Sequence, residues 1–242
     1  MFDYIAWRLV RNAAERGTLG SMSAKRIRSA LDYEIVPGKE RDENSVIETA
    51  ARYGHLDQIP ESALTFQHLR LADRDGKTAF HVAALCKCLS AIPTKFLTIQ
   101  NLLLPDRRGH TSFHFAAKHG CIDQIPNHCL TNQTVTVPDG FEGTPLHEAA
   151  AFGYLDQFPD EFLTLENMLL RDKSDEAVYR RAGRYGHINQ IPAELFRGHE
   201  VLVRAELADA IDWHRNCSGA GPEARQRITK RIEEWLFQLE RH

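Results

Sequence analysis

Thr111-Ser112-Phe113-His114-Phe115-Ala116-Ala117-Lys118-His119-Gly120-Cys121-Ile122-Asp123-Gln124-Ile125-Pro126 decides how the chain is read, because near-copies flank it at one fixed interval. Thr78-Ala79-Phe80-His81-Val82-Ala83-Ala84 begins thirty-three residues earlier and its copy closes with Ala91-Ile92-Pro93. Thr144-Pro145-Leu146-His147-Glu148-Ala149-Ala150 begins thirty-three residues later and closes with Asp156-Gln157-Phe158-Pro159. A period of that length marks stacked supersecondary units, none of which can bury its apolar face alone.

Working outward, the period sorts residues into columns. Ala50, Ala83, Ala116, Ala149 and Ala182 form one; Ala51, Ala84, Ala117, Ala150 and Gly183 form the next. Side chains that small let neighbouring helices approach closely. Ile59, Ile92, Ile125, Phe158 and Ile191 recur as larger plugs, as do Leu64, Leu97, Leu130, Leu163 and Phe196. Each is worth about 1.5–3 kcal/mol when fully buried, which only a neighbouring copy makes possible. Gly54, Gly120, Gly153 and Gly186 fall where a left-handed residue should end the inner helix, and Lys87 breaks that column. Asp73, Asp106, Asp139 and Asp172 precede turns that should project as fingers from one edge. Pro60, Pro93, Pro126, Pro159 and Pro192 follow at a constant distance. Proline costs about 3 kcal/mol inside a helix but suits a first helical position. The spacing therefore predicts an outer layer broken into one-turn pieces, with Thr65, Thr98, Thr131 and Thr164 capping further short turns.

The Thr-x-x-His-x-Ala-Ala unit at this period resembles the ankyrin repeat, and Gln-Ile-Pro followed by Leu-Thr is similar to a variant of it in bacterial proteins. The resemblance implies an all-α ankyrin-repeat solenoid with broken outer helices and helical caps at both ends. Residues 1–44 would be an N-terminal helical cap containing a degenerate copy, 45–198 the solenoid of about five repeats, and 199–242 a C-terminal helical cap. It also implies that His81, His114 and His147 hydrogen-bond backbone beside Thr78, Thr111 and Thr144. A shared metal is disfavoured, since packed helices stand about 10 Å apart and a metal needs ligand nitrogens near ~2 Å.

The flanks carry their own patterns. Phe2, Ile5, Ala6, Leu9, Val10 and Ala13 lie at helical spacing in a helix expected to end near Gly17, where Ala13-Ala14-Glu15-Arg16-Gly17-Thr18-Leu19 matches Ala50-Ala51-Arg52-Tyr53-Gly54-His55-Leu56. A second helix opened by Ser23, with Ile27 and Leu31 inward, precedes a polar loop over Pro37–Asn44. The fifth copy, about Ala177 to Arg197, keeps Ala182, Gly186, Gln190, Ile191 and Pro192 but lacks Thr and His. Val203, Leu207, Ala210 and Ile211 mark a further helix, residues 216–222 a break, and Ile228, Ile232, Trp235, Leu236 and Leu239 one stripe of a last helix that caps the stack or docks on a partner.

Composition fits a globular, cytoplasmic chain: 242 residues, 43% hydrophobic, 26% charged, net charge −3. There is no apolar run of about 18 residues for a membrane span, and Asp3 interrupts the start where a secretion signal would be apolar. Five cysteines, with Cys88 and Cys121 one period apart, suggest packing positions in a reducing compartment. Asp73-Arg74-Asp75-Gly76 lacks the later Glu of a calcium loop. No nucleophile elbow, phosphate loop or His-Glu-x-x-His occurs, so neither catalysis nor a cofactor, metal or small-molecule substrate is expected.

The ankyrin arrangement places a partner on the concave face and turn tips, which here would hold Arg52, Tyr53, Arg74, Lys77, Leu85, Arg107, Arg108, His110, Phe115, Lys118, His119, Phe152, Arg181, Arg184 and Tyr185. Acids at those positions are fewer: Asp75, Glu142, Glu148 and Asp175. Arginine beside aromatics is the composition of interface hot spots, so the expected function is non-catalytic binding of another protein with an acidic surface, as an inhibitor, immunity-type protein or scaffold. The alternative is a nucleic acid held by the same cations, with affinity falling steeply as salt rises.

Overall fold

A threonine and a histidine three residues apart start an inner helix by satisfying each other's orphan donors. In the computed structural model, which describes residues 2–35, 45–216 and 221–241, the Thr78 N–H donates to His81 Nδ1 at 3.0 Å, Thr111 to His114 at 3.0 Å and Thr144 to His147 at 3.2 Å. These are capping boxes with imidazole in place of the usual Glu or Gln. The predicted loop over 37–44 and residues 217–220 of the predicted break lie outside the described residues.

The described residues are helices and turns; no strand occurs among them, only an isolated bridge between Arg171 and Ala177. None of their helices is long and apolar enough to cross a membrane. The chain divides into two units, Met1–Thr134 and Val135–His242. The first contains α1 (Phe2–Arg16), α2 (Ala24–Glu34), α3 (Val46–Tyr53), α4 (Phe66–Leu69), α5 (Ala79–Leu85), α6 (Ile99–Leu102) and α7 (Ser112–His119), with the single turn α8 (Asn132–Val135) at its end. Here α1 packs on α2 and α3, α3 on α5, and α5 on α7. The second contains α9 (Pro145–Phe152), α10 (Leu165–Met168), α11 (Val178–Tyr185), α12 (Glu200–Asn216) and α13 (Pro222–Arg241). Within it α11 packs on α9 and α12, and α12 on α13.

The alanine columns are the helix contacts. Ala50, Ala51, Ala83, Ala84, Ala116 and Ala117 are fully buried in the first unit, as are Ala149, Ala150 and Ala182 in the second. Gly183 ends its column because a Cβ there would stand 2.6 Å from Leu207 of α12. The glycine column is left-handed at Gly54, Gly120, Gly153 and Gly186, and the same conformation occurs at Gly17 and, without glycine, at Lys87 (φ +60°). A Cβ on Gly153 would stand 2.6 Å from the His187 ring, so both backbone and space demand glycine there. We expect Gly153→Ala to lower stability by about 2 kcal/mol and Lys87→Gly to raise it by about 1 kcal/mol, read from urea midpoints.

After each left-handed residue comes a 3₁₀ turn, such as Leu89–Ala91 or Ile188–Gln190, whose first residue is buried. The glutamine of Gln-Ile-Pro ties this turn to the preceding copy. Gln124 Nε2 donates to the Lys87 carbonyl at 3.0 Å while its Oε1 accepts from Ser90 N–H at 3.2 Å. Gln190 does the same to Gly153 (2.8 Å) and Leu155 (3.2 Å). The prolines then open further 3₁₀ turns, Thr94–Phe96, Asn127–Cys129, Asp160–Phe162 and Ala193–Phe196, and Thr65, Thr98 and Thr164 cap α4, α6 and α10. The one-turn pieces that the proline spacing predicts are therefore present.

One expected face is different. In α1 the buried side chains are Val10, Ala13 and Ala14, while Ile5 is 59% and Leu9 44% exposed. The apolar stripe of α1 is wider than the surface α2 and α3 offer it, so one edge is left in solvent. In α12 and α13, Val203, Leu207, Ala210, Ile211, Ile232, Trp235, Leu236 and Leu239 are buried as their periodicity predicts. Trp235 also donates its indole N–H to the Ile191 carbonyl at 2.7 Å.

Candidate partner-binding surface

The projecting turns are built by aspartate. Asp73 Oδ1 accepts the N–H groups of Asp75 and Lys77, each at 2.8 Å; Asp106 Oδ1 accepts those of Arg108 (2.8 Å) and His110 (2.9 Å). The two turns of the first unit join through Arg107 N–H to the Asp75 carbonyl, 2.9 Å. Arg74, Arg107 and Arg108 are exposed at these tips, and none makes an ion pair with another described residue. Three guanidinium groups thus share one edge of the Met1–Thr134 unit.

Elsewhere in this unit other cations are partly neutralised. Lys77 Nζ lies 3.1 Å from Asp75, and Arg52 lies 2.7 Å from the mostly buried Glu48 carboxylate, which holds its guanidinium pKa above the ordinary value. The His110 ring faces Asp106 at 3.3 Å. Phe115 is half-buried, edge-on to His81 at a centroid distance of 5.7 Å and equally far from His110. Tyr53 is exposed and stacks along His55; Leu85 is exposed at the end of α5. Lys118 and His119, half-buried, close α7. These residues combine cations with apolar rings.

In the Val135–His242 unit the expected arginines have acidic neighbours. Phe152 and Tyr185 are exposed, but Arg181 is directed into its own unit, bonded to Asp172 and 3.2 Å from Glu176. Arg184 contacts Glu176 at 2.9 Å and lies over the Trp213 ring. Both arginines, expected as partner contacts, are therefore engaged with acids of their own unit. The sequence held a partial signal, since Asp172 belongs to a periodic column. The acid at Glu176 has no counterpart in the other copies, where Lys77, His110 and Gly143 stand.

The remaining chemical groups have structural surroundings. His81 and His147 are buried, and their Nε2 atoms face the carbonyls of His110 (3.1 Å) and Glu176 (3.2 Å). Burial lowers the pKa of both, to about 4 for His147. Cys86, Cys88, Cys121 and Cys129 are free thiols, all raised by burial, Cys121 to about 12, opposite to the shift of a reactive thiolate. Among the described residues no three His, Cys, Asp or Glu side chains gather so as to hold a metal ion. No protein-family model matches the sequence, and no curated protein matches it.

Proposed function

We propose that the chain is a non-catalytic, ankyrin-type binding module whose Met1–Thr134 unit grips a protein partner at an acidic surface. The observation that carries the proposal is the row of exposed Arg74, Arg107 and Arg108 on two hydrogen-bonded turns, in a unit that also exposes Tyr53 and Leu85 and sets Phe115 against His110. Arginine with apolar neighbours on a rigid support loses little freedom on binding, and its fork matches a carboxylate bidentately. Support for the ankyrin-type assignment comes from the Thr–His caps, the left-handed helix ends and the aspartate turns, all recurring at thirty-three residues. A rigid binding surface of this kind suits an inhibitor or scaffold in a cytoplasmic setting.

The test compares the full chain with a variant carrying Arg74→Glu, Arg107→Glu and Arg108→Glu. Because these side chains are exposed at turn tips, the melting temperature should stay within a few degrees of wild type. Affinity purification from a native lysate should recover one discrete protein with the wild type and lose it with the variant, the purified pair showing at least about a tenfold loss of affinity. Recovery abolished by nuclease would favour the nucleic-acid reading. Undiminished recovery by the variant would reject the arginine row as the binding surface.

A further inference from the structure

A second feature of the Met1–Thr134 unit involves other residues, Lys77 excepted. A cavity of about 270 Å³ lies among α1, the C-terminal turn of α2 and the starts of α3 and α5. Three aromatic side chains, Tyr4, Trp7 and Tyr33, line it, with Tyr4 and Trp7 stacked at 5.7 Å. Its lining includes Glu34, Asp73, Lys77 and Glu48, whose carboxylate is paired with Arg52 at 2.7 Å, so three acids stand against two cations. We propose that this cavity binds a small organic cation, an alkylammonium or quaternary ammonium group.

Charge and backbone polarity agree. An anion would seek the helix starts, but three donors there are already occupied: Val46 N–H by Glu34 Oε1 at 2.6 Å, Glu48 N–H by Ser45 Oγ at 3.0 Å and Thr78 N–H by His81 Nδ1 at 3.0 Å. Glu34 also accepts the Trp7 indole N–H at 2.5 Å, which fixes both the carboxylate and the ring in the wall. The end of α2 that carries Tyr33 and Glu34 is the negative end of its helix dipole. Aromatic faces attract a cation through their quadrupole without requiring its desolvation by a direct ion pair. The volume, below the roughly 300–1,000 Å³ of pockets for drug-sized molecules, suits a head group with a short substituent.

The test titrates the full chain with choline and with its uncharged isostere 3,3-dimethyl-1-butanol, followed by calorimetry and tryptophan fluorescence. Saturable choline binding is expected, with the alcohol at least about fivefold weaker, the ratio that charge on an aromatic-lined site should produce. Tyr4→Ala, at a half-exposed position, should weaken choline by a similar factor with an unchanged melting temperature, and Trp7→Phe should remove the fluorescence change. Glu34→Gln should also weaken choline; should loss of its bond to Val46 unfold the chain, Tyr4→Ala still decides. Absence of saturable choline binding, equal binding of the alcohol, or an unchanged dissociation constant in Tyr4→Ala would overturn the assignment.

Discussion

Replacing His147 by alanine is expected to destabilise the chain by about 3–5 kcal/mol, seen as a drop in the urea midpoint at pH 7.5. The ring is wholly buried and joins two backbone groups: Nδ1 accepts the Thr144 N–H, which places the ring proton on Nε2, 3.2 Å from the Glu176 carbonyl. Alanine would leave a buried donor and a buried acceptor without this partner, and a void between α9 and the turn before α11. The same geometry fixes the sign of a pH effect. Burial, then the nearby Arg181 charge, lowers the folded pKa to about 4, so the unfolded chain, with a histidine near about 6.5, takes up the proton first. This contribution is complete above about pH 6.5 and is lost as the pH falls through about 4, some ~3 kcal/mol in all. His68, His81 and His187 are lowered too and add in the same direction. His147→Gln, which can still accept the Thr144 N–H, should flatten the loss between pH 6.5 and 4. A destabilisation below about 1 kcal/mol for His147→Ala, or an unaltered slope for His147→Gln, would mean the ring is not the brace described.

What could be read from sequence here was what one residue type dictates locally. Proline excludes a helix interior, glycine admits the left-handed state, and threonine three residues before histidine closes a cap. Each therefore indicated its own conformation wherever it recurred. Lys87 shows the limit of that logic: its residue type breaks the column, yet the chain keeps the turn because Cys88 N–H reaches the Ala83 carbonyl at 2.7 Å and neighbouring packing holds it. Charges were harder to place, since a column specifies where a Cα lies but not which carboxylate folds back to meet a cation. Arg107, at a turn tip, makes no ion pair with another described residue, while Arg181, within α11, meets Asp172 and Glu176. The cavity beside Trp7 was illegible for a similar reason. It needs α1, α2, α3 and α5 brought together, and the indole bond to Glu34 spans twenty-seven residues outside the periodic pattern.

That contrast yields the second large effect. Arg181→Ala should cost about 2–4 kcal/mol, whereas Arg107→Ala should change stability by less than about 0.5 kcal/mol, although each removes one guanidinium. Asp172 and Glu176 are 6% and 7% exposed in their side chains, against 18% for Arg181. Without Arg181, Asp172 keeps only the N–H groups of Ser174 and Glu176 on Oδ1, and Oδ2 loses the guanidinium it contacts; Glu176 retains Arg184. The partial exposure of Arg181 and those surviving bonds place the cost below that of a fully buried pair. A second consequence links this cluster to His147. Removing the Arg181 charge relieves its repulsion of a protonated ring, so the His147 pKa should rise and the acid sensitivity between pH 6.5 and 4 should shrink in Arg181→Ala. Equal stability of the two variants would return Arg181 to the list of surface cations. A steeper acid loss in Arg181→Ala would show instead that the cluster does not act on the histidine.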